Sequence, residues 1–79
     1  MKVELILYAS LVGHMPPGTS GNSCTMEVEE GSTVGDLMKR LGLPERAAKV
    51  IFLNGRHAKE EHSVKEGDRI AFFPPVAGG

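Results

Sequence analysis

The sequence has a single cysteine, Cys24, among 79 residues, so no internal disulfide can staple it. A small domain that stands without disulfides is expected in a reducing compartment. No apolar run approaches the ~20 residues that a bilayer-spanning helix needs. The opening Met1-Lys2-Val3-Glu4-Leu5-Ile6-Leu7-Tyr8 carries one basic residue and no small-residue cleavage site. It does not read as a secretion signal, and a cytoplasmic location is expected. An excess of one charge is missing too: 9 Lys and Arg against 10 Asp and Glu leave a formal net charge of −1. A nucleic-acid binder needs a basic stripe, which this balance argues against.

Catalytic patterns are equally scarce. There is no Ser/His/Asp arrangement and no glycine-rich phosphate loop. His14, His57 and His62 are scattered over polar stretches without the spacing or the cysteines of a zinc site. No metal and no stably bound cofactor is expected. Internal repeats and low-complexity segments are absent. A domain of this length buries only about 60–65% of its unfolded surface, so its core is thin and a deep pocket of its own is not expected.

What is present reads as an ordinary globular α+β domain, 41% hydrophobic and 24% charged. Residues 2–9 alternate, with Val3, Leu5 and Leu7 on one face and Lys2, Glu4, Ile6 and Tyr8 on the other. The second face turns apolar toward its end, as in a central strand. Residues 13–22 are dense in turn formers and read as a loop. Residues 23–30 alternate again, with Cys24, Met26 and Val28 inward, and Cys24 reads as an inert buried thiol rather than a sulfur relay. Thr33, with Asp36 three residues on, opens a helix whose Val34, Leu37, Met38 and Leu41 share one face. Lys39 and Arg40 suit its last turn, Gly42 can end it, and Pro44 starts a short turn through Ala47.

Residues 49–53 form an apolar strand, Asn54-Gly55 a tight hairpin turn, and His57 and Ala58 a short return strand at an edge. Glu66-Gly67-Asp68 is a further turn, and Arg69–Phe73 is the last strand, ended by Pro74. One helix on one face of a mixed sheet of four to five strands is the economical arrangement, with the apolar first and last strands central. The domain spans residues 1–73, and residues 74–79 are expected to be a flexible tail ending in Gly78-Gly79. With glycine usage near 7%, two in a row arise by chance at about 0.5%. A carboxylate on such a tail can thread into a narrow active site.

The order of elements and the tail together resemble the MoaD/ThiS family of β-grasp, ubiquitin-like sulfur carriers. The resemblance rests on Asn54-Gly55 after the third strand, on Glu66-Gly67-Asp68-Arg69-Ile70-Ala71, and above all on Ala71-Phe72-Phe73-Pro74-Pro75-Val76-Ala77-Gly78-Gly79. Within the family the last stretch is most similar to the MoaD branch, the small subunits of molybdopterin synthase. The ThiS branch shares Gly-Gly but usually lacks the Phe-Pro-Pro run. MoaD chains often carry an Arg-Glu pair soon after the first strand, where this chain has Ser10-Leu11-Val12-Gly13.

The resemblance implies parallel pairing of the first and last strands, with Ile70 and Phe72 against the helix and Ala71 and Phe73 outward. It implies a non-catalytic carrier activated at Gly79, with Gly78 letting an enzyme channel close round the backbone. A MoeB/ThiF-like adenylating enzyme would use ATP to activate the carboxylate. A sulfur donor such as a cysteine desulfurase or rhodanese would supply the thiocarboxylate. A MoaE-like large subunit would receive the tail, with Phe73, Pro74, Pro75, Val76, Ala77 and Ala71 as the partner-binding residues. The other functions open to the same fold and tail are sulfur transfer to thiamin, cysteine or tRNA, conjugation to proteins through Gly79, and a binding-only module.

Overall fold

The computed structural model describes residues 1–44, 48 and 50–75. Its elements are β1 (Lys2–Leu7), β2 (Ser23–Glu27), α1 (Val34–Leu41), β3 (Val50–Leu53), β4 (Arg56–His57) and β5 (Arg69–Phe73). They form a five-stranded sheet in the order β2-β1-β5-β3-β4. β1 and β5 are parallel, with Leu5 beside Ile70 and Leu7 beside Phe72. The other neighbours are antiparallel, so the sheet is mixed, and the two apolar strands lie inside it as expected.

Alternation sorts the side chains onto two faces. The inner face presents Val3, Leu5, Leu7, Ile51, Ile70 and Phe72 to Val34, Leu37 and Met38 of α1, all buried. Met26 and Val28 close the β2 side of this core, and Cys24 packs against it half-buried, less covered than the sequence suggested. The Met1 N-terminus donates to the Val28 carbonyl at 2.9 Å and the Val28 N–H returns a bond to Met1 at 2.8 Å, so pairing continues past the end of β2.

The helix obeys its local signals. Thr33 Oγ1 accepts from the Asp36 N–H at 3.2 Å, and the Thr33 N–H donates to Asp36 Oδ2 at 2.9 Å, a reciprocal capping box. The Val34 and Gly35 N–H groups donate to the carbonyls of His62 and Glu60, so the first-turn donors are spent on a neighbouring loop rather than left for an anion. Gly42 ends the helix at φ 70°, the left-handed region where a side chain is costly. Arg40 reaches back to donate to the Glu27 carbonyl at 2.6 Å. His14 Nδ1 lies 3.3 Å from the Leu41 carbonyl, which only accepts, so this contact needs the proton on Nδ1.

Two features depart from the sequence reading or exceed it. After β1 the chain makes a 3-10 turn over Ala9–His14, where the sequence reading carried the strand to residue 9 and began the loop at residue 13. Ala9 opens it at φ 52°, a conformation that costs a non-glycine residue about 1–2 kcal/mol. Burial of Leu11 and the Leu11 N–H bond to the Tyr8 carbonyl hold it there. The second feature is a clasp between the two turns read separately from the sequence. Asn54 and Gly55, at φ 53° and 82°, make the expected hairpin turn. Asn54 Nδ2 also donates to Asp68 Oδ1 at 2.9 Å, and Asn54 Oδ1 accepts from the Arg69 N–H at 2.9 Å. Asp68 Oδ2 accepts from the Lys65 N–H at 2.7 Å, tying both turns to the start of β5. The expected turn over Glu45, Arg46 and Ala47, and the start of β3 at Lys49, lie outside the described residues.

Phe72 is fully buried between the sheet and α1. Replacing a core Phe by Ala costs about 3–5 kcal/mol, a large share of the roughly 5–15 kcal/mol that holds a small domain together. Phe72→Ala is therefore expected to move the urea unfolding midpoint sharply downward, whereas Thr33→Ala, which removes one cap, costs about 1 kcal/mol.

Candidate functional site at the outer face of the sheet

The face turned away from α1 is not uniformly polar. One register row crosses four strands as Ile6, Ala71, Phe52 and His57. Beside it, nearer the end of β5, Phe73 sits opposite Val50. Tyr8 stacks on Phe73 with ring centroids 4.2 Å apart and planes 6° apart. Phe52 meets Phe73 edge-on at 5.5 Å and the His57 ring at 4.5 Å. Of one tyrosine and three phenylalanines, only Phe72 enters the core. A core this thin has abundant use for aromatic mass, so its placement outside makes this half of the face a candidate surface for contact.

This aromatic patch runs directly into the root of the tail. Pro74 and Pro75 follow Phe73 without a break, half-buried and exposed respectively. Together with Tyr8, Ala9, Val50, Phe52 and Phe73 they border an open, largely apolar hollow. The other half of the face is ionic: Arg69 Nε lies 3.4 Å from Glu4 Oε1, both side chains well exposed. Such a pair contributes about 0–1 kcal/mol to stability and neutralises Arg69 locally, which leaves it little long-range pull on an acidic partner.

Of the sequence-derived site residues, the structure brings together Ala71, Phe73, Pro74 and Pro75 on or beside one apolar patch. Val76, Ala77, Gly78 and Gly79 lie outside the described residues. Phe73 faces outward as the resemblance implied, but it is half-buried under Tyr8 and Phe52 rather than bare. Tyr8, Phe52 and His57 were not singled out from the sequence. Their signal was available: Tyr8 falls on the Ile6 face of β1, and Phe52 alternates with the buried Ile51.

The histidines do not converge. His14 caps α1, His57 lies on Phe52, and His62 Nδ1 accepts from the Lys59 N–H at 2.9 Å. Among the described residues no group of three His, Cys, Asp or Glu is placed to hold a metal ion, and no helix is long and apolar enough to cross a membrane.

The family model described as ThiS family matches residues 19–79 of this chain. Among solved structures, the chain is similar to small archaeal modifier protein 1 of Haloferax volcanii, at 25% identity and a TM-score of 0.71 over 95% of this chain and 98% of that one. It is similar to the putative molybdopterin converting factor, subunit 1, of Pyrococcus furiosus, at 26% identity and a TM-score of 0.68 over 95% and 98% of the two chains. A chain from the complex of subunits 1 and 2 of the molybdopterin-converting factor of Helicobacter pylori, at 21% identity and a TM-score of 0.61 over 100% of each chain, shares the fold. The β-grasp architecture read from the sequence is thus borne out.

Phe73 is half-buried and shares its ring contacts with Tyr8 and Phe52, so Phe73→Ala removes two aromatic pairs worth about 0.5–1.5 kcal/mol each. Its unfolding midpoint is expected to fall far less than that of Phe72→Ala when the two are measured side by side. A loss equal to that of Phe72→Ala would make Phe73 a core residue and remove it from the contact face.

Proposed function

The chain belongs to the ThiS family, and from that premise we propose that it is a sulfur carrier whose Gly79 is converted to a thiocarboxylate and spent in molybdopterin synthesis. One observation carries this reading: the apolar aromatic face continues without interruption into Phe73-Pro74-Pro75, the start of the family's terminal motif. The likeness to a molybdopterin converting factor subunit 1 supports the acceptor.

The chemistry follows from the properties of a carboxylate. Its negative charge repels nucleophiles and its oxygen is a poor leaving group. A MoeB/ThiF-like partner joins the Gly79 carboxylate to the α-phosphate of ATP, giving the acyl-adenylate and releasing pyrophosphate. The outer sulfur of a persulfide on a cysteine desulfurase or rhodanese then displaces AMP to give an acyl disulfide, and a thiol reductant cleaves that disulfide to free the thiocarboxylate. The resulting thiocarboxylate is ionised near neutral pH and attacks as thiolates do.

The chain's own part is delivery. On this reading its outer face docks on a MoaE-like large subunit; subunit 1 of the Helicobacter pylori molybdopterin-converting factor, which shares the fold, forms a complex with subunit 2. Six residues from Pro74 to Gly79 reach at most about 20 Å, enough to enter a neighbour's active site from a docked body. Pro74 and Pro75 limit the entropy lost when the tail is threaded. Gly78 and Gly79 carry no Cβ to obstruct a narrow channel. On this reading the protein is a substrate and a subunit, and the general acid–base groups belong to its partners.

A second reading is conjugation to lysines of other proteins through Gly79. The likeness to a small archaeal modifier protein at 25% identity favours it. Both readings share the activation step and part at the acceptor: lysine adducts in the host proteome mark the modifier, sulfur transfer to a pterin precursor the carrier.

Incubation with the host's activating enzyme, ATP and a sulfur donor is expected to raise the intact mass by about 16 Da, the exchange of oxygen for sulfur at the terminal acyl group. One residue added after Gly79 is expected to abolish the gain. If the mass does not change while the enzyme thiolates another carrier, the carrier reading fails.

A further inference from the structure

β1 and β5 run in parallel, and their ladder does not stop where β1 does. The Tyr8 N–H donates to the Phe72 carbonyl at 3.2 Å, one residue past the end of β1. Tyr8 thus ties the chain to β5 just beyond β1, beside the root of the tail. Its ring lies flat against Phe73 at 4.2 Å while Phe52 holds the same ring edge-on from the other side. Phe73 immediately precedes a proline, which restricts it to extended backbone, and the ring of Pro74 fixes the next φ. The orientation of Phe73 is therefore passed to Pro74 and Pro75 with few free torsions between.

The chain after Tyr8 does something unexpected for a strand with an open parallel neighbour. A straight continuation of β1 would run alongside Pro74 and Pro75. Instead Ala9 takes φ 52°, and the 3-10 turn over Ala9–His14 carries the backbone away, with Leu11 buried as its anchor. Over the tail root lies the apolar hollow, bordered by Tyr8 and Ala9 on the β1 side and by Val50 and Phe52 of β3 on the other. A non-glycine residue held at positive φ stores strain, and such strain persists only where surrounding contacts enforce it. Here it keeps the flank of the tail root clear.

We propose that Tyr8 and the kink at Ala9 form a guide for the tail: Tyr8 is a positioning residue that sets, through Phe73, the direction in which the chain leaves β5 at Pro74, and Ala9 keeps that exit open. The activity arm of the test rests on the reading of Gly79 as the activated terminus; the spectroscopic arm does not.

The full chain is compared with Tyr8→Phe, Tyr8→Leu, Ala9→Gly and Ala9→Val. Ala9→Gly keeps the kink, since glycine adopts φ 52° without a steric penalty and leaves every side-chain contact of Tyr8 in place, whereas the β-branched side chain of Ala9→Val favours extended backbone. Ala9→Gly is expected to leave the melting temperature unchanged or raised and to show parental Phe73–Pro74 NMR contacts, whereas Tyr8→Leu and Ala9→Val weaken those contacts. With the activating enzyme, Tyr8→Leu and Ala9→Val are expected to lower kcat for adenylation of the carrier several-fold with KM little changed, and Ala9→Gly, which keeps the kink, and Tyr8→Phe, which keeps the stack, to behave as the parent. A rise in KM alone for Tyr8→Leu would make Tyr8 a docking contact and overturn the guide. Parental NMR contacts and kcat in both Ala9→Val and Tyr8→Leu would overturn it as well. If the parent chain is not adenylated at all, the functional reading fails while the NMR comparison still decides the guide.

Discussion

Parallel pairing of the first and last strands is the constraint on which the remainder of the molecule depends. β1 and β5 come from opposite ends of the described chain and become neighbours in the middle of the sheet. Parallel strands cannot be joined by a tight turn, so everything between them must form a long connection. That connection supplies β2 and α1 on one side and β3 and β4 on the other. Closing so long a loop is entropically costly, and burial of Leu5, Leu7, Ile70 and Phe72 against α1 is what offsets it. The Asn54–Asp68 clasp acts at the other end of β5, holding its start in register while Tyr8 holds its finish.

The same pairing gives the sheet two unlike faces. The inner one is mostly aliphatic and spends its apolar surface on α1; the outer one keeps Tyr8, Phe52 and Phe73 where water reaches their edges. In a domain with so small a core, moving aromatic area outside sacrifices stability that the fold has little of. On the carrier reading, the partner that receives the tail covers this outward cluster. Its position matters as much as its composition, because β5 delivers the patch and the tail root from consecutive residues. Docking and insertion of the tail are then geometrically one event.

A protein of this design needs no pocket of its own. The first-turn donors of α1 are consumed by the carbonyls of Glu60 and His62, the histidines serve a cap, a loop and a ring contact, and no metal-binding group forms among the described residues. On the carrier reading the reactive atom sits at the far end of a short tether, and the folded body serves to present it. On that reading the chemistry is supplied by enzymes large enough to enclose the tether.

Much of this was legible in the residues. Period-two alternation located β1 and β2 and put Ile70 and Phe72 on one face of β5, because a pleated strand leaves no other choice, and the family resemblance turned that face inward. Thr33 with Asp36, Gly42 and Asn54-Gly55 placed the helix ends and the hairpin, since capping and positive φ are local demands met by local chemistry. The terminal motif pointed to the family and to the tail. Tertiary structure alone decided the Tyr8–Phe73 stack, the clasp of Asn54 on Asp68 and the kink at Ala9. The first two need residues far apart in the chain brought to within hydrogen-bond or van der Waals distance, and that distance is set by strand register. The third is a strained conformation that no local preference of alanine requests. It exists because β1 must end beside a tail that continues, and only the assembled sheet imposes that condition.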